Sequence, residues 1–338
     1  MLEGMRVVEL AYFYPAPYCT QILAELGAEG IKIEPPSGDP MRYRSEIFAA
    51  LNRNKKSLVL NLKDEKDLSK FYEIVGKSDV VVEGFRPGVA KKLGVDYESV
   101  KKVNPGIIYC SIPGLRGVNK PVHDINVLSL AGICLIAGKK FGKPIDPNVQ
   151  LSDFASAVFA AISILAAYVR KIKTGEGCYI NLSMLDAALA SVPLHSARLL
   201  NGMDVAEDFV SNPGYDVYEA KNGYVSVGIL DEKHFWKEFC EKLGLEYGDL
   251  SFEERIKRAD EIRKRISEVL KDKSVEELEG ILENVPFSAV RNFPKESEIF
   301  CEAEYDKKYR VVGFPATFSN FEPKRSGKVP KLGEDRDI

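Results

Sequence analysis

A histidine and a carboxylate stand thirty positions apart, each leading a small apolar segment: His123 opens His-Asp-Ile-Asn, and Asp153 closes Val-Gln-Leu-Ser-Asp. His123 runs into Asn126-Val127-Leu128-Ser129-Leu130-Ala131-Gly132, and Asp153 into Phe154-Ala155-Ser156-Ala157-Val158-Phe159. Both segments read as helices, so two titratable groups at two helix mouths can meet across one small cavity. An imidazole facing a carboxylate is a proton-transfer pair, because both can be tuned to work near neutral pH. The structural alternative for Asp153 is an N-cap, a position aspartate favours. A cap is a less natural role for His123, one of only three histidines. The other two, His195 and His234, are expected to be structural or exposed.

The elements that must hold this pair alternate between strand and helix. Arg6–Leu10 predicts a strand, Tyr12–Pro17 a turn, and Gln21–Leu26 a helix ended by Gly27; Ile31–Glu34 is the next strand. The pattern repeats with strands at 57–61, 80–83 and 107–112 and helices at 65–76, 89–93 and 97–103. Such alternation predicts an α/β fold, with an open, mostly parallel sheet and helices on both faces. The helix after Asp153 is expected to run to about Lys173, followed by a strand at 179–183 and a helix from Met184. Beyond a weak stretch at 191–214, a hairpin about Asn222-Gly223 and helices at 233–243, 252–271 and 274–283 predict a smaller α+β domain.

Ligands of open α/β sheets lie at the carboxyl ends of the strands. No G-x-G-x-x-G follows the first strand, which argues against a nicotinamide or flavin dinucleotide. The loops at those ends offer cations instead: Arg42, Arg44, Arg53, Lys55, Lys56, Arg86 and Lys92. Taken singly these are solvated surface charges; several converging on one sheet edge suit a phosphorylated ligand.

Composition sets the outer bounds. Hydrophobic residues make up 45% and charged ones 29%, as in an ordinary soluble globular protein. A net charge of −3 gives no general reason to expect nucleic acid or an anionic membrane as a partner. The six cysteines are scattered without CxxC or metal-ligand spacing, which predicts buried free thiols and a reducing compartment. The N-terminus lacks the basic-then-apolar layout of a signal peptide, and the apolar run 154–168 is too short to span a bilayer. A cytoplasmic location follows as the expectation.

Several segments together resemble the family III CoA-transferases, a group that includes the α-methylacyl-CoA racemases. They are Leu26-Gly27-Ala28 running into Ile31–Glu34, Gly38-Asp39-Pro40, Leu51–Ser57, and Glu83-Gly84-Phe85-Arg86-Pro87-Gly88 with Leu93-Gly94. Asn104-Pro105, Asp153, Thr174-Gly175-Glu176-Gly177 and Lys331-Leu332-Gly333-Glu334 complete the set, which covers essentially the whole chain. The resemblance implies a CoA thioester substrate, no separate cofactor, and an interlocked homodimer. It implies a Rossmann-like, doubly wound CoA-binding domain from residues 1–190 with 312–338, a small domain at 215–300, and linkers at 191–214 and 301–311. CoA would be held by Arg42, Arg53, Lys55, Lys56, Arg86 and Lys92, with Gly84, Phe85 and Leu93 from the same motif.

The resemblance also makes Asp153 the catalytic carboxylate: a nucleophile forming an acyl anhydride in transferases, one of two acid/base groups in racemases. His123-Asp124-Ile125-Asn126 is similar to the racemase branch, departing where Val127 replaces an aromatic. Transferases typically carry an aromatic and another acid at the His-Asp positions. Either Asp231 or Glu232 would supply a further carboxylate from the small domain. Asp124, by adjacency, could hold or polarise His123, although adjacent side chains often point elsewhere. The loop Pro113–Asn119 departs from the family in lacking its second glycine pair and threonine.

The leading expectation is therefore a cofactor-independent epimerase of 2-methylacyl-CoA esters, with His123 and Asp153 exchanging the α-proton on opposite faces. A backbone N–H at the start of the helix bearing Asp153 is the expected donor to the developing oxyanion. A family III CoA-transferase working through an anhydride at Asp153 is the alternative, and a catalytically inactive CoA-thioester binder is a third reading. The intact His123/Asp153 pair counts against the third.

Overall fold

Val7, Val8 and Leu10 are fully or almost fully buried, so the first strand enters a core with neither side facing water. This is the mark of a central strand in a sheet covered on both faces. The computed structural model describes residues 1–205, 207–336 and 338. In chain order the first elements are β1 (Arg6–Leu10), α1 (Pro15–Glu25), β2 (Glu29–Glu34), α2 (Ser45–Asn52), β3 (Lys55–Val59), α3 (Glu65–Val75) and β4 (Val80–Glu83). They continue with α4 (Val89–Leu93), α5 (Tyr97–Val103), β5 (Ile108–Ser111), α6 (Asp124–Leu130), α7 (Ile133–Gly138), α8 (Leu151–Thr174), β6 (Cys178–Asn181) and α9 (Met184–Ala190).

The six strands form one sheet in the order β3-β2-β1-β4-β5-β6, and every pairing is parallel. The order reverses between β1 and β4, and a crevice opens at such a switch point beyond the strand ends. On one face Phe71, Ile74 and Val75 of α3 and Val100 of α5 pack against Val8, Leu10, Ile31, Ile33, Val81 and Tyr109. On the other, α1 and α8 pack against each other and against the strands. Two glycines allow this connectivity. Gly27 ends α1 at φ +109°, and a Cβ on Gly177 would lie 2.0 Å from the Ile107 carbonyl oxygen, closing the approach of β6 to β5.

Beneath β1–β3 lies a buried charge cluster. Glu9 accepts from Lys32 at 2.6 Å, from Lys55 at 2.7 Å and from Thr20, while Lys32 also meets Asp39 at 2.9 Å. Lys55 completes its three donations on the Pro17 carbonyl and Asn52 Oδ1.

The helix carrying Asp153 runs to Thr174, close to the expected end at Lys173, and so extends beyond the apolar run 154–168. At 24 residues α8 is long and apolar enough to cross a membrane by length and composition. Its buried residues, Ser152, Ala155, Ser156, Ala157, Ala160, Ala161 and Ile164, instead form a small-residue stripe packed in the domain.

Contacts divide the chain into two units: Met1–Cys134, Asp146–Ser191 and Glu296–Ile338 in the larger, Leu135–Ile145 and Val192–Lys295 in the smaller. The smaller unit contains α10 (Pro193–Leu199), α11 (Glu207–Val210), β7 (Tyr215–Ala220), β8 (Gly223–Gly228), α12 (Lys233–Leu243), α13 (Phe252–Lys257), α14 (Ala259–Lys271), α15 (Val275–Ile281) and β9 (Phe287–Ala289). Its sheet is antiparallel, ordered β7-β8-β9, over a core around Trp236, Phe239, Ile262 and Ile266.

Three boundary expectations change. Residues 135–145 belong with the smaller unit, where Lys140 pairs with Asp216 at 2.9 Å and Lys139 with Asp204 at 2.6 Å. The stretch 191–214 carries α10 and α11 rather than a bare linker. The stretch 301–311 is no linker either: β10 (Phe300–Glu304) and β11 (Lys308–Val312) form an antiparallel pair, and β12 (Gly327–Lys328) runs parallel to β10. Ala303 and Val311 pack there on Phe48 and Ala49 of α2, which ties the C-terminal segment to the larger unit.

Candidate active site

The loop that leaves β1 at the switch point is aromatic and strained. Phe13 holds φ +66°, a left-handed backbone that bulky residues avoid and that collects at functional turns. Its ring meets His123 edge-on, with centroids 6.2 Å apart. Tyr14 stands at the N-cap of α1 and packs on Tyr18 at 5.6 Å; Tyr18 in turn packs on Phe154 at 6.1 Å. Aromatic contacts therefore join the head of α1 to the first turn of α8, where Asp153 sits.

Asp153 is the third residue of α8 and not its cap. The cap comes from the neighbouring helix. Asp124 Oδ1 accepts the Ser152 backbone N–H at 2.8 Å, the Ser152 hydroxyl at 2.6 Å and the Asp153 N–H at 3.2 Å. Asp124 thus serves α8 rather than holding His123, because three donors from α8 converge on one of its oxygens. Leu151 N–H is bonded to the Val149 carbonyl and Phe154 N–H to that of Gln150. The first four N–H groups of α8 are all engaged, so the expected backbone oxyanion donor is absent there. His123 occupies the N-cap of α6, where Asn126 Oδ1 accepts its backbone N–H at 3.0 Å. Its side chain is exposed, and among the described residues no hydrogen bond joins it to Asp153 or Asp124.

This arrangement alters the acid. Burial, with the Asp124 charge in second place, pushes the Asp153 carboxyl up to about 7. The helix N-terminus acts in the opposite direction but is worth only about 0.3–1 kcal/mol. At neutral pH Asp153 is then partly ionised and more basic than an ordinary carboxylate, which suits proton transfer and nucleophilic attack alike. The Tyr14 hydroxyl is pushed up to about 12, first by burial and then by Tyr18, Asp153 and Asp124, so it stays protonated.

The cations separate into two groups. Arg42 makes a two-pronged pair with Glu34 (2.7 and 2.5 Å) and donates to Tyr305 and the Pro330 carbonyl. Arg53 is 1% exposed and donates to Glu25 and to the carbonyls of Ala50, Val312 and Arg325. Lys55 is buried on Glu9. These three are turned to protein partners that hold the fold together, which corrects their assignment to CoA. Lys56 pairs with Glu29 at the surface. Arg86 and Lys92 are exposed and, among the described residues, carry no ion pair.

Two hollows flank Phe85. One of about 190 Å³ lies at the ends of β1 and β2, lined by Leu10, Tyr12, Pro35, Leu62, Phe85 and Leu93. The other, about 390 Å³, lies at the ends of β4, β5 and β6 and includes Arg86, Tyr97, Tyr109, Tyr179 and the buried Glu83 and Ser111. Gly84 sits exposed beside them. In the smaller unit Asp231 is exposed 3.8 Å from Arg255, while Glu232 turns back to accept the Leu230 N–H at 2.8 Å. His195 packs on Phe209 and His234 on Phe235.

Sequence reasoning passed over Tyr14 and Tyr18, reading 12–17 only as a turn. The available signal was a run of aromatics directly after a central strand.

A family model described as CoA-transferase family III matches residues 2–336. The chain is 30% identical to a succinyl-CoA:mesaconate CoA-transferase of Haloarcula marismortui, over 99% of this chain and 94% of that one. It is 30% identical to the human succinyl-CoA:glutarate CoA-transferase, over 98% and 84%. Among solved structures, a CAIB/BAIF family protein from Brucella suis superposes with a TM-score of 0.85 at 25% identity, covering 98% of this chain and 96% of that one. The relatives named here are CoA-transferases, and they turn the reading away from the epimerase that His123 suggested.

Proposed function

The chain belongs to family III of the CoA-transferases, and on that premise we propose that it moves CoA between carboxylic acids through a covalent intermediate on Asp153. The observation that carries the reading is Asp153 itself, a carboxylate at a helix mouth raised to about 7, in a chain whose relatives are CoA-transferases.

In this scheme Asp153 attacks the thioester carbonyl, the C–S bond breaks, and a mixed anhydride remains while CoA departs as thiolate. The thiolate attacks the Asp153 carbonyl, releasing the donor acid and leaving an aspartyl thioester. An incoming carboxylate displaces the thiolate to form a second anhydride. Thiolate attack on the incoming acyl carbon then yields the new acyl-CoA and restores Asp153. Electrons and protons balance without a cofactor beyond the CoA of the substrate. Arg86 and Lys92 would meet the CoA phosphates, with its nucleotide against Phe85 and Leu93.

We further infer a homodimer, interlocked as in the family resemblance. Phe159, Ile162, Val169 and Ile172 form an exposed apolar stripe on α8 that a second copy would cover. The free state of all six cysteines suits a cytoplasmic setting.

The test is acyl exchange from succinyl-CoA to glutarate, mesaconate or oxalate, with borohydride trapping of Asp153. A trapped Asp153 adduct and transfer of CoA are expected. Wash-in of solvent deuterium at the α-carbon of a 2-methylacyl-CoA without any acceptor acid, and no adduct, would return the chain to the epimerases.

A further inference from the structure

Attack on a thioester places negative charge on its carbonyl oxygen, and that charge needs a donor positioned beforehand. The mouth of α8, the nearest such source, is closed. The first four N–H groups of α8 are occupied, those of Ser152 and Asp153 by Asp124 and those of Leu151 and Phe154 by backbone carbonyls. At the head of α1, Pro15 and Pro17 have no N–H and Tyr18 N–H bonds to the Tyr14 carbonyl, which leaves the Ala16 N–H and the Tyr14 side chain as donors beside that mouth. The Tyr14 hydroxyl is half-buried and without a hydrogen-bond partner among the described residues. Its ring is fixed through Tyr18 to Phe154, the residue after Asp153, and the strained Phe13 before it sets the course of the loop.

Resting on the transferase reading, we propose that Tyr14 is a catalytic residue of this chain, its phenol donating a hydrogen bond to the acyl carbonyl oxygen as Asp153 attacks. The hydroxyl gives up no proton in the step. It stabilises the tetrahedral oxyanion, and the hydrogen bond weakens again when the C–S bond breaks and the anhydride carbonyl forms. Its held protonation agrees with this role, since a phenolate beside Asp153 would repel the oxyanion.

The experiment is Tyr14→Phe in the full-length enzyme, measured for kcat, KM, CoA affinity and the rate of Asp153 adduct formation. Loss of one oxyanion donor lowers kcat by about 100- to 1,000-fold. The expected result is that loss in both kcat and adduct formation, with KM for acyl-CoA and CoA affinity held. Should Tyr14→Phe fail to fold, Tyr14→3-fluorotyrosine keeps the shape and makes the phenol a stronger donor, so kcat should change at constant KM. Wild-type rates of adduct formation in Tyr14→Phe, or constant kcat in the fluorinated enzyme, overturn the inference about Tyr14 alone. A loss confined to His123→Ala would do the same by making the imidazole the donor. A wild-type enzyme that neither transfers CoA nor traps at Asp153 overturns both this inference and the reading beneath it.

Discussion

Asp124 Oδ1 lies 3.2 Å from the backbone nitrogen of Asp153, so one acid of the site caps the helix that carries the other. The same contact orders the helix mouth and places a second negative charge beside the Asp153 carboxylate. Asp124→Asn keeps the acceptor oxygen and removes the charge. The acid limb of the transfer pH profile should move to lower pH, because Asp124 is one of the groups raising Asp153. Asp124→Ala should also lower stability by about 1 kcal/mol, the worth of a cap. An acid limb that stays in place in Asp124→Asn would show that Asp153 does not sense its neighbour.

Asp153→Asn should abolish transfer and yet stabilise the protein at pH 8. The folded value of Asp153, about 7, lies above its ordinary 3.8. Its favourable contribution is therefore complete below about pH 4 and is lost as pH rises through 7. Allowing for partial solvent screening, the uncharged variant should gain about 1–3 kcal/mol at pH 8. Thermal melts at pH 5 and pH 8 would test this, and an equal difference from wild type at both pH values would contradict it.

The charge cluster under the sheet should be structural. Burial alone would raise Glu9, but Lys32 and Lys55 hold it down to about 2. Its contribution is present above pH 4.5 and lost as pH falls toward 2. Glu9→Gln should cost about 3–5 kcal/mol at pH 7, since it leaves the buried Lys55 without a carboxylate and Lys32 with Asp39 alone. Lys56→Ala, breaking the surface pair with Glu29, should cost under about 1 kcal/mol. Urea titrations of the two variants giving similar losses would refute the distinction.

Arg86→Ala should weaken CoA-ester binding by about 1.5–3 kcal/mol, the size of a charge-assisted hydrogen bond, with little change in melting temperature. Arg86 is exposed and engages no carboxylate among the described residues, so its removal leaves no partner stranded. Calorimetry showing unaltered CoA affinity would withdraw it from the site.

The protein should behave as a stable dimer at micromolar concentration. Ile162→Lys with Ile172→Lys should loosen or prevent association, because both residues lie on the exposed apolar stripe of α8. Light scattering of the wild type at monomer mass, with the fold intact, is the result that would exclude it.

Much of this molecule can be read from residue types alone. Strands such as Val80-Val81-Val82-Glu83, helices punctuated by Gly27 and Gly94, and the alternation between them specify a parallel sheet, because period and punctuation are local properties of the chain. Asp153 ahead of an apolar small-residue helix is likewise legible as a candidate site residue, because residue type and helix position are local properties of the chain. What each polar group does was decided by tertiary structure. Asp124 adjoins His123 in sequence yet caps α8, because the packing of α6 against α8 brings three donors to its oxygen. Arg53 and Lys55 look like phosphate ligands in a basic run, but Glu25 and Glu9 meet them inside the core. The strands at 300–312 escaped notice because their pairing depends on partners brought in by α2 and the distant tail. A residue type states which interactions are possible; which one forms depends on the groups that long-range folding brings within about 3 Å.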